Sequence, residues 1–130
     1  MTEIANQRVA LLVFLLASIL MFFASLSHEI EGAMEPRNHG VAAQTLLRKT
    51  YSVIVFAILG YLFTWTHRRT GTLPLMGSAV VIGLFSGTIE FFQRRMGAPE
   101  GLVWNAADTL MGLFGGLLGA LFYARPKKWL

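Results

Sequence analysis

The chain has 130 residues, 55% of them hydrophobic and 14% charged, with 11 Lys and Arg against 7 Asp and Glu for a net charge of +4. Soluble domains carry about a quarter charged residues, so the balance excludes a disordered chain and an ordinary soluble globule, and one membrane-embedded domain is expected. The absence of cysteine also excludes a disulfide framework, a thiolate metal site and a cysteine nucleophile.

Residues 9–26 (VALLVFLLASILMFFASL) carry no charge, and a helix needs roughly 20 mostly apolar residues to cross a bilayer. Arg8 and the small residues from Ala24 onward would also suit a signal peptide. The run is longer than the roughly 7–15 apolar residues of such a leader, so a retained span over about 9–27 is expected. Residues 28–40 (HEIEGAMEPRNHG) are polar and read as a loop. Within it, His28, Glu29, Glu31, Glu35 and His39 lack the spacing of a zinc helix, so a solvated loop without metal is expected.

The next apolar run, residues 51–66, has 16 positions, about 24 Å at 1.5 Å per residue. That is slightly short, so the helix is expected to begin near Val41, giving a span of about 45–66 with Arg48 and Lys49 in its outer turns. Gly71 and Pro74 then punctuate a short basic turn. The third span, about 75–93, stays apolar until Glu90. Gly97, Pro99 and Gly101 mark the next turn. The fourth span, about 104–124, is apolar except for Asn105 and Asp108, and a basic tail follows. Trp65, Trp104 and Trp129 fall at span ends, where tryptophan anchors are common. The expectation is an all-α integral membrane four-helix bundle, with residues 1–130 forming a single domain.

An even number of spans puts both termini on one side. That side holds six basic residues (Arg8, Arg68, Arg69, Arg125, Lys127, Lys128), and the other holds five (Arg37, Arg48, Lys49, Arg94, Arg95). The excess favours a multi-pass protein of the cell membrane with both termini in the cytoplasm.

The informative polar residues gather at the opposite face. Glu90, Gln93 and Arg94 stand three and four residues apart and so share one side of the third helix; Asn105 and Asp108 do the same on the fourth. Lys49 and Arg48 reach the same leaflet. Ionisable residues within spans are costly and mark functional sites by default. Simpler roles exist, including a Glu90–Arg94 pair along one helix and capping by Asn105 or Asp108. The convergence of Lys49, Glu90, Gln93, Arg94, Arg95, Asn105 and Asp108 favours a binding site. Small residues recur at four-residue spacing in the third span (Ala79, Gly83, Gly87) and the fourth (Gly112, Gly116, Ala120, with Gly115 and Gly119 beside them). Such stripes bring helices together in lipid. Packing of the third span on the fourth is expected, and the spare stripe leaves a homodimer or a larger membrane complex open. No nucleic-acid motif, phosphate-cradling glycine loop or serine elbow is present.

The hairpin over residues 87–124 resembles the VanZ-like membrane proteins, a family named for a teicoplanin-resistance factor. The matching elements are Glu90-x-x-Gln93, Arg94 or Arg95 in the turn, Asp108 at the start of the next helix, and the small residues Gly115, Gly116 and Gly119. Lys49 fits a lysine of the family's second span. Arg48 and Ser52 stand where that pattern has an aspartate and a histidine, and Gly112 where it has an asparagine.

The resemblance implies a role at the cell envelope, with teicoplanin resistance as the associated phenotype. The expected ligand is an anionic lipid or a lipid-linked cell-wall precursor, bound in a polar pocket at the outer leaflet without a cofactor. Two alternatives remain from the residues themselves. One is an enzyme on a lipid-linked phosphate, with Glu90 or Asp108 as general base; the other is an accessory subunit of a membrane complex.

Overall fold

The computed structural model describes residues 2–34, 41–68, 71–96 and 102–125, with side chains for residues 2–25, 49–68, 71–96 and 106–125. These described residues form four helices in chain order: α1 (Thr2–Met34), α2 (Val41–His67), α3 (Thr72–Arg95) and α4 (Leu102–Ala124). Among the described residues there is no strand. Each helix contains a window long and apolar enough to cross a membrane: Thr2–Ser25, Lys49–His67, Thr72–Arg95 and Ala106–Ala124. The protein is an all-α, multi-pass membrane bundle.

The helix ends follow local chemistry. Helix α1 continues through residues 28–34, where the polar composition led us to expect a loop. Its described part ends at Met34, two residues before Pro36 in the sequence, and proline disfavours helix at the position before it. Helix α2 begins at Val41, as its short apolar run requires. At its other end Arg68 adopts a left-handed φ of 50°, and its N–H donates to the Thr64 carbonyl at 2.9 Å, closing the last turn. Helix α3 starts at Thr72, earlier than the span expected from about 75. Pro74 therefore sits inside the first turn, where its missing N–H leaves no helical hydrogen bond unmade. The chain enters that turn through Gly71, whose φ of 141° suits glycine.

Helices α2 and α3 form the middle of the bundle. Phe56 and Leu59 of α2 meet Ile82 and Ile89 of α3, and Phe14, Met21 and Phe22 of α1 pack onto that core. Ring contacts fasten α1 along its length: Phe14 lies 5.4 Å from Phe63, and Phe22 lies 5.5 Å from Phe92. Much of α1 faces outward, with Leu12, Leu16, Leu20 and Phe23 exposed, as suits a helix at a lipid boundary.

Helix α4 is held differently, by glycine. A side chain at Gly119 would fall on the Ala57 carbonyl, and one at Gly115 would meet the Phe56 Cβ at 2.7 Å. Both residues therefore face α2. Gly116 faces α3, where an added Cβ would meet the Ile82 Cβ at 2.7 Å, and Gly112 would meet Ser86. The two small-residue stripes of α4 thus serve its two neighbours in the bundle. The stripe that sequence alone left free for a second copy is occupied by α2.

Candidate functional site

Chain reversal after each helix brings the end of α1, the start of α2, the end of α3 and the start of α4 to one end of the bundle. The residue that organises this end is Lys49. It is 7% exposed, and its Nζ donates to Asp108 Oδ1 at 2.5 Å. The pair joins α2 to α4 across 59 positions of sequence. Two charges removed from water in this way are favourable only when closely paired and further hydrogen-bonded.

The backbone around Asp108 is also tied. Ser86 Oγ donates to the Asp108 carbonyl oxygen at 3.0 Å, which fixes α4 against α3 one turn before Gly112, whose close approach is to the same serine. Gln93 is buried, and its Nε2 donates to the Ser25 carbonyl at 3.2 Å, linking α3 to α1. Glu90 is half-buried and engaged by a neighbour, as are Ser52, on α2, and Thr109, beside Asp108 on α4. All four helices therefore contribute to one polar end.

The residues singled out from sequence divide into three groups. Lys49, Asp108 and Gln93 lie inside the bundle and make defined interhelical bonds, with Glu90 at its edge. Arg94 and Arg95 are exposed at the end of α3, and the Arg95 guanidinium lies over the Phe91 ring, 5.4 Å from its centroid. They present charge outward while Lys49 holds charge inward. The side chains of Asn105 and Arg48 lie outside the described residues, as do those of His28, Glu29, Glu31, Glu35, His39 and Trp104, and the residues Arg37, Arg69, Lys127, Lys128 and Trp129. Among the described residues no group of three metal-ligating side chains converges.

Sequence reading missed Ser86 and the backbone acceptor at Ser25. Ser86 carries a usable signal: with Glu90 and Gln93 it forms the helical spacing i, i+4, i+7, and Ser78, Ala79, Ile82, Ser86, Ile89 and Gln93 are the buried face of α3. A carbonyl acceptor on another helix has no such signature. The opposite end holds its own buried polar pair. Thr64 Oγ1 donates to the Gly60 carbonyl at 2.8 Å and lies 3.0 Å from Ser78 Oγ. Outside it, Arg68 faces Glu3 at 3.6 Å, the Glu3 side chain being 84% exposed.

No protein-family model, curated protein or solved structure matches the chain.

Proposed function

We propose that the polar end of the bundle binds an anionic lipid or lipid-linked headgroup at the outer leaflet of the cell membrane, with both termini in the cytoplasm, and that the protein is a VanZ-like envelope protein contributing to teicoplanin resistance. The observation that carries this reading is the Lys49–Asp108 pair. An ion pair set inside a bundle of this kind is costly to desolvate, and basic pockets between membrane helices are a known seat for anionic headgroups. In this reading the exposed Arg94 and Arg95 meet the headgroup first. Asp108 orients Lys49, Gln93 and Ser86 keep the helix ends in register, and Glu90 positions the protein's own cations or accepts hydrogen bonds from the ligand.

The shared elements Glu90, Gln93 and Asp108 support the family assignment. The serine at position 52 removes the side chain best suited to proton transfer, so binding is favoured over turnover. The test is drug susceptibility. Expressed in a teicoplanin-susceptible bacterium, the wild-type chain is expected to raise the inhibitory concentration. Asp108→Asn, which keeps the side chain's shape and removes its charge, is expected to abolish the rise at equal membrane abundance. Full resistance in that variant would refute the reading.

A further inference from the structure

The seam between α3 and α4 is sealed on its inner side and open on its outer side. Along the open side Gly83, Gly87, Thr88, Phe91, Thr109 and Leu113 line a groove of about 360 Å³, within the roughly 300–1,000 Å³ typical of small-molecule sites. Gly83 marks the point where Leu113 closes over the helix, an added Cβ there meeting its side chain at 2.5 Å. At Gly87 an added Cβ would touch only Thr109, at 3.6 Å, so the space beside it is free. The walls, including the exposed Leu84 and Phe91, are almost wholly apolar.

One end of this apolar groove carries a charge. Phe91 forms its wall there, and the Arg95 guanidinium lies over the same ring. Gly83, Gly87, Phe91 and Arg95 succeed one another at four-residue spacing, so each neighbours the next along a ridge that winds slowly around α3. From Gly83 to Arg95 the helix rises about 18 Å, close to the roughly 15 Å depth of one hydrocarbon leaflet. A partner helix would need no single cation at one end, and a soluble anion would need no apolar slot. Both features fit a phospholipid.

From this we infer that the α3–α4 groove seats one acyl chain of an anionic phospholipid whose phosphate lies against Arg95. The inference rests on the headgroup reading above for the sign of the ligand's charge, and adds to it a specific place for the chain. Gly87 determines occupancy, because a Cβ there meets only Thr109, in ordinary contact, and a longer side chain would extend into the slot.

Native mass spectrometry of the full chain from detergent tests this, with dioleoyl phosphatidylglycerol, its dihexanoyl analogue and dioleoyl phosphatidylcholine as probes. The wild type is expected to retain one dioleoyl phosphatidylglycerol several-fold better than either other lipid. Gly87→Leu is expected to erase the preference for the long chain while binding of the short-chain lipid persists. Thr88→Phe, at the groove's rim, blocks it a second way should Gly87→Leu fold poorly. Arg95→Gln is expected to lower retention several-fold. Arg125→Gln, which breaks the matching stack over Phe122 (4.8 Å) at the opposite end, is expected to leave it unchanged. Undiminished dioleoyl retention in both blocked variants would overturn the inference. So would equal losses in Arg95→Gln and Arg125→Gln, or a dimer that Gly87→Leu dissolves. Equal retention of the two dioleoyl lipids by the wild type would instead defeat the headgroup reading, leaving the blocked variants to decide the groove on phosphatidylcholine.

Discussion

At the end of the bundle where α1 and α3 finish, a lysine and a carboxylate are drawn inside and lie 2.5 Å apart. At the other end, where α2 turns into α3, the buried polar groups are the hydroxyls of Thr64 and Ser78, and the charges of Glu3 and Arg68 stay outside. Both arrangements tie helices together in an apolar surrounding. The hydroxyl end does so with neutral groups that satisfy a backbone carbonyl and each other, at little desolvation cost. The fold therefore has a cheaper way to join helix ends than an internal ion pair, which is why the proposed site lies at the charged end.

The contrast is broken most forcefully by removing one partner of the pair. Asp108→Ala leaves the Lys49 ammonium largely buried without its carboxylate, and a loss of about 3–5 kcal/mol is expected, read as a lower midpoint for thermal unfolding in detergent. A loss below 1 kcal/mol would mean that the pair is effectively solvated. Next comes the seam that joins the two ends. Gly119→Ala drives a methyl group into the Ala57 carbonyl and is expected to destabilise by about 3 kcal/mol. Gly77→Ala, with nothing within 4 Å of the new Cβ, is expected to stabilise by about 0.5–1 kcal/mol. Similar effects at both glycines would mean that α4 does not pack this closely. At the hydroxyl end, Thr64→Val keeps the shape and removes the bonds to Gly60 and Ser78. A loss of about 0.6–1.7 kcal/mol is expected, the range for an interhelical hydrogen bond in lipid such as the one to Ser78. Glu3→Gln, on an exposed carboxylate, is expected to change stability by no more than about 0.5 kcal/mol. A ranking in which Thr64→Val exceeds Asp108→Ala would reverse the distinction between the ends.

Much of this architecture is legible in the sequence, for reasons that differ by element. Four uninterrupted apolar runs leave little choice of fold, since every backbone group in a bilayer must be bonded within its own helix. Chain reversal, once the spans are counted, brings Lys49 and Asp108 to the same end of the bundle; their pairing depends on which faces α2 and α4 turn to each other. The length of α1 was not legible, because polar residues such as His28, Glu29 and Glu31 signal exposure without signalling the end of a helix; Pro36 was the better marker. At the site, identity was readable and orientation was not. Gln93, Arg94 and Arg95 are consecutive, yet the first is buried against Ser25 and the other two point outward. That split depends on which face of α3 the core claims. The same holds for α4, where Gly115 and Gly119 look free for a second copy until α2 is placed against them.

The most direct test of the proposed site separates an ion pair kept for stability from one kept for binding. Replacing a buried ion pair with apolar residues of similar volume is often neutral or stabilising, so the double variant Lys49→Met, Asp108→Leu is expected to fold with an unchanged or higher unfolding midpoint. The measurement is its retention of phosphatidylglycerol relative to the wild type by native mass spectrometry. A folded double variant that has lost the preference for the anionic lipid is the expected result. A folded double variant that retains it in full would contradict the assignment of the Lys49–Asp108 end as the binding site.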